Sequence, residues 1–201
     1  TALFGFPGSA GIMTDSDFYT SSLDPTVFSS HEAVIDSLID VSLSAGYTIL
    51  KNEKVKLNLF TSCQYNKTSA TGYNGFQIDN RGSEPRKYDF DGISVISYTQ
   101  YLFFAWIGTQ FVFQPLKPLV FTLTASYAPY CYAKGLDTHY LTEKQYLDTM
   151  QSFFALKGGF TTAFYITNSM SIKAGIEGLF LPVIQGPTGA KGKGEAAFVN
   201  Q

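Results

Sequence analysis

Asp15 and Asp17, in the run Gly-Ile-Met-Thr-Asp-Ser-Asp-Phe-Tyr, are two carboxylates with one residue between them. Asp137 and His139, in Gly-Leu-Asp-Thr-His-Tyr, repeat that spacing. In an extended strand, residues two apart point to the same face, roughly 6.6 Å apart along the chain. Each pair therefore aims two side chains at one volume. If the two segments face each other, a water between them meets an acidic couple on one side and a carboxylate-steered imidazole on the other. A neutral imidazole, with an ordinary pKa of about 6.5, is suited to taking a proton from water. Two close carboxylates resist ionising together, so one holds a proton and hydrogen-bonds the water or a developing oxyanion. Such a site hydrolyses an amide bond with no metal and no covalent intermediate. Alone, each motif has a plainer meaning: Asp-Ser-Asp before an aromatic is a turn signal, and Asp-Thr-His in a polar stretch is a solvated loop.

Period-2 patterning dominates the chain and supplies the elements that would position these residues. Alternation of apolar and polar residues marks strands at 33–49, 53–65, 119–134, 153–166 and 169–181. Segment 92–113 is long and nearly all apolar. Short turns are expected near 50–53, 114–118 and 166–169. Long extracellular loops are expected at about 66–91, 135–146 and 182–198. Short turns at one rim and long loops at the other describe an antiparallel up-and-down transmembrane β-barrel. The polar set includes lysine, glutamate and aspartate at mid-strand, which a dry soluble-barrel interior would not accept unpaired. The expected fold class is therefore all-β, a single membrane-barrel domain over 1–201. About six full strands are too few to close such a barrel, so the chain reads as an incomplete one.

One detail conflicts with this pattern. On 119–134 the odd positions carry the large apolar residues and face lipid, yet Asp137 and His139 are also odd. To point inward they need a bulge, expected near Lys134–Gly135.

Composition agrees with a membrane barrel. The chain has 201 residues, 16% aromatic and 15% charged, against about 25% charged in a typical soluble domain. Its formal charge of −2 gives no basic surface for nucleic acid. No stretch is long and apolar enough for a transmembrane helix. Cys63 and Cys131 fall on strands separated by a third and are read as free thiols. Neither lies near a histidine in sequence. His31 is the only other histidine, and no His-Glu-x-x-His, Gly-x-Ser-x-Gly or phosphate-binding glycine loop occurs. Trp106 and the Tyr/Phe clusters are read as lipid-facing or girdle residues.

Taken in order, Gly-Ile-Met-Thr-Asp-Ser-Asp-Phe at 11–18, Ser21-Ser22, His31 and Asp-Thr-His at 137–139 resemble the omptin family of outer-membrane proteases. The resemblance implies a ten-stranded barrel in the bacterial outer membrane, of which this chain would lack the first two or three strands and the last. It implies an endopeptidase site at the extracellular mouth, with Asp15 and Asp17 as one couple, His139 as general base and Asp137 orienting it. It implies peptide or protein substrates, contact with outer-membrane lipid, and lipopolysaccharide as the candidate requirement for activity, with no other cofactor. Two departures bear on specificity. Acidic subsite groups of the family fall here on Gly135 and around Ser29 and Ser30, and a third lies in a strand this chain does not contain. Cleavage at paired basic residues is therefore not expected to carry over. The competing expectation is a catalytically silent barrel that serves as an adhesin or structural protein.

Overall fold

The computed structural model describes residues 1–18, 24–167, 169–193, 195 and 197–200, and the side chains of 152, 153 and 200 are left aside. Ser21 and Ser22 lie outside the described residues. Among the described residues ten strands follow one another: β1 (Ala2–Gly5), β2 (Gly8–Asp17), β3 (Val27–Lys51), β4 (Val55–Asp79), β5 (Arg86–Leu116), β6 (Leu119–His139), β7 (Lys144–Tyr165), β8 (Ser171–Phe180), β9 (Thr188–Lys191) and β10 (Val199–Asn200). They form one sheet. β1 and β2 lie end to end along β3, against Leu38–Val41 and Val27–Ile35. β8 and β9 lie end to end along β7, against Leu156–Tyr165 and Gln145–Asp148. Pairing is antiparallel throughout, β3 to β7 in chain order, and β10 adds to β9. Among the described residues no ladder joins the β1–β2 edge to the β8–β10 edge, so the sheet is open.

The two faces differ as the alternation requires. Outward lie Leu59, Ile107, Leu123, Leu156, Phe160 and Ile176, all exposed. Inward, polar side chains satisfy one another: Gln64 donates to Asp40 at 3.0 Å, Asn58 to Gln110 at 3.0 Å, and Thr71 to Asp36 at 2.7 Å. Lys157 pairs with Glu177 at 3.0 Å. Mid-strand charges are thus held in a hydrogen-bonded interior.

Three expectations need correction. Trp106 does not face lipid. It is buried on the inward face, stacks on Phe104 at 5.2 Å between ring centres, and donates its Nε1–H to Gln64 at 3.2 Å. Trp106 sits in the apolar stretch 101–107, whose alternation carries no parity signal; only the flanking Gln100 and Gln110, which share its even parity, mark the inward face. The long loops are also shorter than expected. Most of 66–91 and 135–146 is strand, which leaves only 80–85 and 140–143 as connections. The described residues of 182–198 stay largely irregular, and even there β9 pairs with β7. A membrane-crossing strand needs about 9–11 residues, and β5 has 31. The excess projects as paired strand with polar residues on both faces, where alternation disappears.

The third correction concerns the bulge. It exists, at Pro129 rather than at Lys134–Gly135. β6 carries one extra residue there: Tyr127 pairs with Ile107 but Tyr130 with Ala105. Proline has no N–H for the ladder, so the strand buckles where it stands. Below it Thr124, Ser126 and Ala128 turn inward; above it Cys131, Gly135, Asp137 and His139 do.

Candidate active site

The inward rows of β2, β3, β6 and β7 converge at the end of the strands away from the short turns. On β2, Met13, Asp15 and Asp17 are half-buried while Thr14, Ser16 and Phe18 are exposed. The carboxylates therefore point inward, beside Ser29 and Val27, their partners on β3. On β6, Asp137 and His139 point the same way because of the Pro129 bulge. Counted from Tyr127, at the top of the apolar belt, His139 stands about 40 Å along the strand at 3.3 Å per residue, well outside it.

Sheet curvature brings the two walls together. Asp15, Asp17 and His139 line a cleft of about 160 Å³, with Val27, Ser29, Gln77, Arg81, Val95, Ile96, Leu141, Thr142, Lys144 and Tyr146. Asp137 stands behind His139, its Oδ2 3.0 Å from His139 Nε2. With Nε2–H donating to that carboxylate, Nδ1 is left as the basic nitrogen. The ring is also held by Tyr146, which meets it edge-on at 5.3 Å between centres. A larger groove of about 610 Å³ lies on the outer face between Leu59, Ile107, Tyr127 and Leu156, and no carboxylate, imidazole or thiol lines it.

Electrostatics couples the walls. The Asp15 carboxyl is raised above the ordinary 3.8, chiefly by burial, then by the Asp17 charge and more weakly by Asp137, while His139 opposes the shift. The His139 imidazole is raised above 6.5, first by its hydrogen bond to Asp137. Burial works against that shift; the charges of Asp137, Asp15 and Asp17 add to it. Tyr146 is pushed up by burial and by Asp17, Asp137 and Asp15. At the rim Arg81 grips Asp79 through two hydrogen bonds, 2.9 and 2.7 Å, and holds its carboxyl down to about 2.

The family model that matches the chain is that of the omptin family, over residues 5–177. The chain belongs to the omptin family. Among solved structures, the omptin sheet described above is similar to the outer membrane protease OmpT from Escherichia coli, with a TM-score of 0.82 and 16% identity. That likeness covers 100% of this chain and 70% of OmpT, and it bears on the fold. No curated protein sequence matches this omptin chain.

All four residues singled out by spacing thus lie at one end of the omptin sheet and around one cleft. His31 does not join them. It is buried on β3, its Nδ1–H donates to the Asn74 carbonyl at 2.6 Å, and its ring packs near Phe90. Its role is to brace an irregular stretch of β4. There Gly75 takes a φ of 87°, and a Cβ on it would strike the Ser30 carbonyl. Cys63 and Cys131 are free, one exposed and one buried, on β4 and β6 with β5 between them. Among the described residues no three His, Cys, Asp or Glu side chains gather as metal ligands.

Sequence reasoning missed Tyr146, Lys144 and Gln77. The first two reach the cleft through a tight turn at 140–143, where Glu143 adopts a φ of 52°. That left-handed position usually calls for glycine or asparagine, so the turn had no signature. Two positions where the resemblance expects acidic groups are also visible. Gly135 is buried under Tyr98, and a Cβ on it would lie 2.7 Å from the Tyr98 hydroxyl oxygen. Ser29 is buried in the cleft wall.

Proposed function

We propose that this chain is an outer-membrane endopeptidase that hydrolyses peptide bonds with a water held between Asp15–Asp17 and His139–Asp137. The observation that carries the reading is the cleft itself: two carboxylates on one wall, and on the other an imidazole fixed by a carboxylate. Neutral His139 takes a proton from the water through Nδ1, while Asp137 fixes the tautomer and stabilises the imidazolium. The Asp15–Asp17 couple hydrogen-bonds the water and aims its lone pair at the carbonyl carbon. The new C–O bond forms, the C–N bond breaks, and the proton on His139 passes to the leaving amine.

The apolar outward belt supports a seating of the strands in a lipid bilayer, and in the proposed reading the cleft opens at the extracellular mouth. Above the belt, Lys67 and Lys134 flank the Tyr101 ring at 5.8 and 5.9 Å on three neighbouring strands. This cationic-aromatic patch suits a phosphorylated outer-membrane lipid, in keeping with lipopolysaccharide as the partner that supports activity.

The test is cleavage of a peptide library by the protein refolded in detergent, with and without lipopolysaccharide. Turnover is expected, and His139→Ala is expected to lose about 10²–10⁴-fold in kcat. No cleavage at any pH would reject the peptidase reading in favour of a silent barrel.

A further inference from the structure

We infer that the cleft selects peptides whose side chains beside the cut bond are neutral or acidic, and that Lys144 is the residue that reads their charge. This rests on the peptidase reading above and narrows it to a substrate class.

Among the described residues that line the cleft, the only carboxylates are Asp15 and Asp17. In the proposed reaction both are committed to the water, so neither is free to bind a substrate side chain. Every other lining group that carries a full charge is cationic or, at His139, becomes so. Arg81 is already matched by Asp79 at 2.7 Å. Lys144 differs: it is exposed and has no carboxylate partner among the described residues. It pairs with His139 across the β6–β7 ladder. Paired residues share a face, with their Cβ atoms about 5 Å apart. A substrate side chain reaching past the base therefore meets an ammonium group first. Among the described residues the remaining wall offers no anion to an arginine or lysine. Val27, Val95 and Ile96 are buried and apolar, and Ser29 is buried and neutral. A cationic side chain would lose hydration there and face a like charge, whereas a glutamate or aspartate would gain a partner.

The experiment uses three fluorescent peptides identical except for Lys, Leu or Glu beside the cut. They are tested on the wild-type protein and on Lys144→Glu, in detergent with lipopolysaccharide. For the wild type, kcat/KM for the Glu and Leu peptides should exceed that for the Lys peptide about tenfold. Lys144→Glu should reverse the order of Glu and Lys, mainly through KM. Preference for the Lys peptide by the wild type, or an unchanged ratio in Lys144→Glu, overturns the inference and leaves the peptidase reading standing. Binding of the same peptides to His139→Ala, followed by fluorescence anisotropy, supplies a readout without turnover. Tighter binding of Glu than Lys supports charge selection by Lys144, whereas absence of cleavage by the wild type rejects the peptidase reading, so the two failures are read separately. Equal or reversed binding overturns the inference.

Discussion

At the residue scale, the shifts at His139 and Asp15 both act on the acid side of the rate profile. His139 works as a base only when neutral, and its hydrogen bond to Asp137 raises its pKa above 6.5. Activity should therefore climb with pH and reach half its maximum above pH 6.5. Asp15, raised above 3.8 mainly by burial, takes up the couple's proton earlier on acidification, and it is a second proton on the couple that weakens the grip on the water, on the same acid limb. Asp137→Asn removes the leading cause of the His139 shift. The midpoint of kcat against pH should move down while the maximum falls, and a midpoint that stays put would show that Asp137 does not set the base. Tyr146 permits a finer test. It touches the imidazole with its ring edge, at 77° between planes. Tyr146→Phe should keep the rate within about twofold, and Tyr146→Ala should lose about 2–10-fold, the worth of one aromatic contact. Equal losses in steady-state kinetics would assign the role to the hydroxyl instead. The four polar residues were legible only as a joint pattern, through the resemblance, because each i, i+2 dyad alone reads as a turn or a solvated loop. Tyr146 was not, because its position depends on a turn built around Glu143 without glycine.

At the element scale, one residue count decides whether the dyad on β6 faces the cleft. Ile96 pairs with His139 and Phe113 with Phe121, so the sums of paired numbers differ by one across Pro129. Inserting a single serine between Lys134 and Gly135 should turn Asp137 and His139 outward and reduce cleavage to the level of His139→Ala. Deleting Pro129 removes the extra residue itself, so both side chains stay inward and cleavage should survive. Far-UV circular dichroism would show that both variants keep their sheet. Survival of activity in the insertion variant would break the link between the bulge and the site. The need for a parity switch was legible, because Asp137 and His139 share odd numbering with lipid-facing Leu123 and Tyr127. Its place was misjudged because Gly135 drew attention as the flexible residue, when the missing N–H of Pro129 is the stronger cause. Trp106 was misjudged for a related reason: parity must be read against polar neighbours, and across the apolar stretch 101–107 the nearest of its own parity are Gln100 and Gln110, outside that stretch.

At the scale of the whole molecule, the sheet is stable only if its outward face meets something apolar. Phe113, Phe121 and Phe160 form a row of stacked rings, 6.4 and 6.1 Å apart, on three successive strands of that face. Ile176 of β8 continues the row as the partner of Phe160. Behind them the inward face is polar, with Thr124 opposite Gln110, which accepts a hydrogen bond from Asn58. In water this arrangement exposes a broad apolar area and would associate; in a bilayer it is the expected orientation. The two faces should therefore answer an added charge differently. Phe160→Arg puts a guanidinium at the level of the hydrocarbon and should cost about 2–4 kcal/mol of folding free energy in phosphatidylcholine vesicles. Thr124→Lys adds its charge to a polar, hydrated interior and should cost less than about 1 kcal/mol. Urea titration followed by fluorescence measures both, because Trp106 is the chain's one tryptophan and sits on the inward wall. Equal costs would mean that lipid does not cover the Phe160 face. The barrel orientation would then fail, and with it the placing of the cleft at an extracellular mouth.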